Sequence, residues 1–137
     1  MAVALTKYDS FNAAAYNKVH DLANDTLKYV FSNTTPNDAT HTDLGDVTAI
    51  TMTNLNDGEV NVTSSTQSGG DYKLILEDKL FTATGAVPQF QYVILYNDTA
   101  TNKELIGYYD YGSAVDMLDT NTFNIDNDPS AGVFTNT

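Results

Sequence analysis

The sequence has 137 residues, with six lysines and no arginine against 18 aspartates and glutamates, and its formal net charge at pH 7 is −12. This length favours a single domain spanning residues 1–137. Binding to nucleic acid or to an anionic membrane requires clustered cations, so scattered lysines argue against both as partners. The absence of cysteine excludes disulfides and thiolate metal sites.

The N-terminal part of the chain predicts an arm followed by a helix. Residues 1–9 have no clear helical or strand pattern, which indicates an extended arm that becomes ordered on assembly. Asp9 or Ser10 is the predicted helix cap, and the Asn24–Asp25 pair is the predicted end. The apolar residues spaced along one helix face are Phe11, Ala15, Val19, Leu22 and Ala23.

The rest of the chain has the pattern of short strands separated by turns. Leu27, Tyr29 and Phe31 alternate with more polar residues, which is typical of a strand with one buried face. Ser64–Gly70 is interpreted as a polar loop. The other β-prone segments, in chain order, are Leu44–Thr53, Glu59–Ser64, Tyr72–Glu77, Leu80–Ala83, Phe123–Asp126 and Gly132–Phe134.

The clearest β-hairpin joins Phe90–Tyr96 to Leu105–Tyr111 through a polar turn at Asn97–Asn102. Turn signals recur about every ten residues, as they do in all-β sandwiches and barrels. The predicted fold is therefore mainly β: an antiparallel β-sandwich or jelly-roll-like domain with one N-terminal α-helix.

Tyrosines are concentrated in the predicted hairpin. Neighbouring tyrosines on a strand point to opposite faces, so one set can enter the core while the other stays exposed. Exposed tyrosines suit a protein interface because they bury a large area and keep a polar tip. A sugar-binding platform and ordinary core packing are the other two interpretations. The candidate interface residues are Tyr92, Tyr96, Tyr108, Tyr109 and Tyr111.

No pattern of catalytic or metal-binding residues stands out, so we predict a protein that is not an enzyme and that has no cofactor. His20 and His41 lack local partners and are interpreted as structural or solvated. Asn54–Glu59 resembles a calcium loop but lacks the first Asp and the central Gly of an EF-hand. Turn-forming Asn and Asp side chains explain it better, and no metal site is predicted.

Several segments resemble a family of small structural proteins of tailed phages. They are Leu27–Asn37 after the N-terminal helix, Leu44–Ile50, Val93–Lys103 and Leu105–Gly112, within a resemblance that extends roughly from Phe11 to Val133. The most distinctive block reads LYNDTATNK followed by LIGYYDYG.

The resemblance implies a virion component, assembled in the host cytoplasm, with no catalytic residues. Within that class we expect a capsid-associated decoration or cement protein, a type that is often β-rich and trimeric. Its partners would be the major capsid protein and copies of itself. The alternative is a tail, baseplate or fibre module that binds a receptor or glycan, for which aromatic and acidic side chains should converge in one pocket. An enzyme, the third alternative, should have a deep cleft with perturbed carboxylates.

Overall fold

A computed structural model of the chain describes residues 5–127 and 132–136. Within these residues one short α-helix is accompanied by ten β-strands and a single 3-10 turn at Leu44–Asp46. The elements are β1 (Thr6–Lys7), α1 (Ser10–Tyr16), β2 (Leu27–Ser32), β3 (Glu59–Val60), β4 (Val62–Ser68), β5 (Asp71–Leu76), β6 (Lys79–Thr82), β7 (Val87–Asn97), β8 (Leu105–Met117), β9 (Thr122–Ile125) and β10 (Phe134–Asn136).

The strands form three antiparallel sheets. The largest has the order β1-β8-β7-β2-β3, the second has the order β10-β5-β4, and β6 pairs with β9. The prediction of a mainly β chain with antiparallel strands and one N-terminal helix is confirmed. The predicted hairpin is also confirmed as β7 and β8, and both strands extend beyond their predicted ends.

One aromatic cluster joins the large sheet to the β6–β9 pair, and the second sheet contributes to the same buried core. Phe31 of β2 stacks on Phe90 of β7 with a ring-centroid distance of 4.1 Å, and its edge contacts Phe81 of β6 at 4.8 Å. Phe123 of β9 completes the cluster at 5.7 Å from Phe31. Leu74 of β5 belongs to the same buried core. The alternation predicted for β2 is therefore confirmed, because Leu27, Tyr29 and Phe31 all face this core.

The opposite face of the large sheet is also buried, by irregular chain rather than by another sheet. Ile94 of β7 and Leu105 of β8 pack there with Tyr8, which follows β1. Leu44 and Val47, from the long connection between β2 and β3, pack against this second cluster. The central strands are thus covered on both sides.

The predicted helix was too long. Helix α1 covers Ser10–Tyr16, and Lys18 adopts a left-handed φ of 65°, which ends any helical continuation. Leu22 is buried as predicted, although it lies in the irregular chain that folds back after the helix. Asp9 occupies the cap position without a side-chain capping hydrogen bond.

The β-prone segment at Leu44–Thr53 is not a strand. Asp43 accepts a hydrogen bond from the Gly45 N–H at 2.9 Å, and Asp46 accepts one from the Thr42 N–H, so the pair caps a short 3-10 turn. Its contact with β2 is an isolated bridge between Ala49 and Ser32. Local capping thus overrides the β propensity of the threonines.

The segment interpreted as a polar loop at Ser64–Gly70 is mostly strand. β4 continues to Ser68, and Gly69 and Gly70 then form the tight turn into β5 with positive φ angles of 60° and 89°. Two positive φ angles suit a hairpin turn, which explains the glycine pair. Serine and threonine are compatible with β4 because it lies at a sheet edge.

Part of the predicted N-terminal arm is docked on the large sheet. Thr6–Lys7 pairs with β8 opposite Tyr108 and Gly107, and the following Tyr8 is buried. Residues 1–4 lie outside the described residues. The arm and its ordering on assembly stay a prediction.

We expect Phe31→Ala to lower the free energy of unfolding by about 3–5 kcal/mol, the usual cost of emptying a buried phenylalanine site. Urea denaturation monitored by circular dichroism measures the change. Tyr16→Ala is the matched control because its ring is 82% exposed, and it should change stability by no more than about 0.5 kcal/mol. Equal costs for the two variants would contradict the central role of the aromatic cluster.

Candidate functional site

The five candidate interface tyrosines divide between the two faces of the large sheet. Tyr109 and Tyr111 lie on the face with the aromatic core, whereas Tyr92, Tyr96 and Tyr108 lie on the opposite face. The side chains of Tyr92, Tyr96 and Tyr109 are buried, and those of Tyr108 and Tyr111 are half-buried. Their role as an interface stays a prediction, and the accessible surface for it lies mainly on Tyr108 and Tyr111.

On the core face, buried hydroxyls form a closed hydrogen-bond network. The Tyr109 hydroxyl donates to Asn127 Oδ1 at 3.1 Å, and Asn127 Nδ2 donates to the Tyr29 hydroxyl at 3.3 Å and to the Glu77 carbonyl at 2.7 Å. Burial raises the pKa of Tyr29 to about 12 and also raises the pKa of Tyr109. These groups therefore stay protonated at neutral pH and hold Asn127, which follows β9, against the core.

A second polar centre lies where β7 ends. Asn97 is fully buried, and its Oδ1 accepts hydrogen bonds from the backbone N–H groups of Thr99 and Ala100, at 3.0 and 3.2 Å. Its Nδ2 donates to Asp25 Oδ2 at 2.6 Å and to His20 Nδ1 at 3.0 Å. One side chain thus holds the hairpin turn and the chain that follows α1.

His20 is held as a neutral imidazole by this arrangement. Because the Asn97 amide donates to Nδ1, the ring proton lies on Nε2. The ring stacks on Phe11 with a centroid distance of 5.2 Å. Burial lowers the pKa of His20 below its usual value, and the nearby carboxylates of Glu104 and Asp25 only partly oppose that effect.

Ion pairs surround the same hairpin turn. Lys103 Nζ lies 2.7 Å from Asp98 Oδ1, and Lys28 lies 3.6 Å from both Asp98 and Asp57. The hydrogen bond from Lys103 is the largest influence that holds the pKa of Asp98 below its usual value. These partly exposed pairs support the turn around Asn97 and contribute modestly to stability.

The apolar and polar side chains of one surface cleft come from three parts of the chain. We call this cleft, of about 380 Å³, the Tyr16 groove. Its volume lies within the range of small-ligand sites. Ser65 and Gln67 of β4 and Tyr72 of β5 line one side of it. The residues on the other side are Phe11, Ala15, Tyr16, His20, Asp21 and Leu22.

Sequence reasoning missed both the groove and the Asn97 centre. Asn97 was recognised only as the start of a turn, and Tyr16 and Tyr72 lie far apart in the sequence. The helical pattern placed Phe11 and Leu22 together, which was the only available signal for the groove. Two other large apolar side chains, Leu118 and Leu80, are 63% and 52% exposed.

The calcium-like loop has structural hydrogen bonds. Asn54 Nδ2 donates to the Ala86 carbonyl at 2.8 Å, and Asn56 both donates to the Leu80 carbonyl and accepts from the Thr82 N–H. The remaining histidine, His41, accepts from the Asn37 N–H at 3.3 Å. Residues 5–127 and 132–136 contain no group of three or more His, Asp or Glu side chains arranged to hold a metal ion.

Comparison with models of protein families, with curated proteins and with solved structures gives no significant match to this chain. Among the described residues, no helix has the length and apolar character required to cross a membrane.

We expect Asn97→Ala to lower the free energy of unfolding by about 2–4 kcal/mol, because it removes one donor from the Asp25 carboxylate and leaves two backbone N–H groups without their acceptor. Urea denaturation measures the loss. Asn102→Ala, an exposed position in the same turn, is the control and should have an effect within about 0.5 kcal/mol. If the two variants are equally stable, Asn97 is not the centre of this turn.

We expect stability to fall as the pH decreases from about 7 through the range in which histidine titrates. The pKa of His20 is lowered in the folded state, so the unfolded chain binds the proton more readily. The stabilisation is complete above the unfolded pKa and is lost as the pH falls through the folded pKa.

Urea denaturation at several pH values tests this dependence. His20→Gln should flatten it, because the titrating ring is gone while an acceptor for Asn97 remains. His41→Gln should leave it intact. A pH dependence that disappears in His41→Gln and persists in His20→Gln would reverse the assignment.

Proposed function

We propose that this chain is a non-enzymatic structural protein of a tailed-phage virion, most specifically a capsid-associated decoration or cement protein. The resemblance of the Val93–Lys103 and Leu105–Gly112 segments to such proteins is the first support. Those segments form the hairpin turn and the paired ends of β7 and β8. The Lys103–Asp98 ion pair and the hydrogen bond from Asn97 to Asp25 stabilise this turn.

The observation that carries the proposal is the nature of the exposed surface. Tyr16, Leu118 and Leu80 present apolar area to solvent on a chain with a net charge of −12. Apolar contacts within a polar rim are the composition of protein interfaces. Attachment through several points, each of modest strength, would give high avidity on a repeating lattice.

The partners in this proposal are the major capsid protein and further copies of the chain, arranged as a trimer. We also propose that the three sheets are arranged as a sandwich of the jelly-roll type, with the Phe31 aromatic cluster between them. The chain would be assembled into the virion in the host cytoplasm and would bind neither nucleic acid nor membrane.

A tail, baseplate or fibre module is the second candidate, and one observation favours it. Tyr16 and Tyr72 lie in the same groove as the carboxylate of Asp21. Convergence of aromatic and acidic side chains in one pocket is what a receptor- or glycan-binding module requires. Such a module would be present in few copies on each particle.

Quantitative mass spectrometry of purified particles separates these candidates. We expect a copy number close to a simple ratio with the major capsid protein, because a decoration protein follows the capsid lattice. A copy number far below that of the capsid protein would assign the chain to the tail or a fibre. Its absence from purified particles would overturn the virion proposal.

A further inference from the structure

We propose that the Tyr16 groove binds a cationic side chain, an arginine or lysine flanked by apolar residues, in an extended segment of a partner protein. The inference depends on the lining of this groove and on the charge of the chain. It holds whether the partner is a capsid protein or another protein, so it does not require the proposed function.

The aromatic surface of the groove is available for contact with a ligand. Tyr16 at the end of α1 is 82% exposed, so a ligand in the groove can reach the face of its ring. Tyr72 lies across the groove on β5, and its ring packs near Phe134 with a centroid distance of 6.1 Å. Tyrosine faces attract cations through the ring quadrupole, and arginine is the most frequent partner.

A carboxylate accompanies these rings. Asp21 lines the groove close enough to Tyr72 to contribute to the raised pKa of that hydroxyl, for which burial is the larger cause. Asp21 Oδ2 accepts a hydrogen bond from Asn24 Nδ2 at 2.9 Å, and no ion pair to Asp21 is present among the described residues. Its negative charge is therefore available to a ligand.

The other residues that line the Tyr16 groove carry no positive charge. Ser65 shares a 2.6 Å hydrogen bond with the Tyr72 hydroxyl, Gln67 is neutral, and His20 is held neutral by Asn97 and burial. No lysine is among the residues that line the groove within the described part of the chain. With a net charge of −12, the whole chain attracts cations to this surface and repels anions.

Charge complementarity favours a cation over the other occupants. A neutral glycan would use the two rings but would gain little from the unpaired carboxylate. A second copy of this chain has no arginine and only six lysines, so it offers few cationic side chains to this groove. A cationic side chain uses both features, and its apolar neighbours would contact Ala15 and Leu22.

The two faces of β4 provide a matched pair of test variants. Gln67 lies opposite Tyr72 in the antiparallel register and lines the groove, whereas the adjacent Thr66 lies opposite Lys73 and does not line it. Neighbouring strand residues point to opposite faces. Gln67→Lys therefore places a cation inside the groove, while Thr66→Lys adds the same charge to the other face.

The experiment is a titration of ¹⁵N-labelled full-length chain, followed by amide chemical shifts at physiological ionic strength. The probe is the pentapeptide Gly-Leu-Arg-Leu-Gly, with its N-terminus acetylated and its C-terminus amidated. The same peptide with citrulline, the neutral isostere of arginine, is the ligand control. We expect the arginine peptide to shift amides in residues 15–23 and 65–72, and the citrulline peptide to bind about tenfold more weakly.

The variants should distinguish binding in the groove from non-specific electrostatic attraction to the acidic chain. Tyr16→Ala should weaken binding by about two- to fivefold, the range for an exposed cation–π contact. Asp21→Asn should weaken it much more than Asp119→Asn, which removes the same charge from an exposed turn. Gln67→Lys should abolish the shifts in residues 65–72, and Thr66→Lys should retain them.

Four results would overturn the inference. Equal effects of Asp21→Asn and Asp119→Asn, with shifts spread over the surface, would mean non-specific attraction. Equal binding of the citrulline peptide would remove the requirement for a cation. Stronger shifts of the same amides by maltotriose would assign the groove to a glycan. A dimer in sedimentation analysis that Tyr16→Ala dissociates would assign it to a second copy of the chain.

Discussion

Strand β7 is buried on both faces from Tyr92 to Asn97, and the rest of the structure follows from the need to cover it. One face is covered by the aromatic cluster around Phe31, which brings the two smaller sheets into a common core. The other face is covered by Tyr8 and by the connection from β2 to β3. A half-exposed antiparallel sheet needs only one such layer. Here irregular chain provides the second layer, so the long connection is a structural part of the fold.

The irregular segment between α1 and β2 also needs an anchor because it lacks strand hydrogen bonds. Asn97 supplies one, since all four hydrogen-bonding positions of its side-chain amide are used. A buried amide with complete pairing is stabilising, whereas a half-paired one is costly. The Asn97 side chain joins the hairpin turn to the segment after α1, and that segment forms one wall of the Tyr16 groove. The geometry of the surface cleft is therefore connected to a buried polar centre.

The hydroxyls of Tyr29, Tyr72, Tyr92 and Tyr109 and both histidines make hydrogen bonds within the fold, and the chain has a net charge of −12. Surface apolar area remains at Tyr16, Leu80 and Leu118. This distribution suits a protein that works by contact with other proteins. An acidic chain with an aromatic groove is complementary to basic segments, because long-range attraction guides the approach and the aromatic rings provide short-range selectivity.

The sequence by itself determined the β character, the β2 alternation and the β7–β8 hairpin, because period-two patterns and turn residues act locally. It also placed Phe11 and Leu22 in the core. Tertiary structure alone decided where α1 ends, since Lys18 turns the chain to bring His20 towards Asn97. It likewise decided that Leu44–Thr53 covers a sheet face. The Tyr16 groove is lined by residues about fifty positions apart in the sequence. Only the tertiary structure places α1 and the β4–β5 hairpin at the same cleft, and no local pattern encodes that.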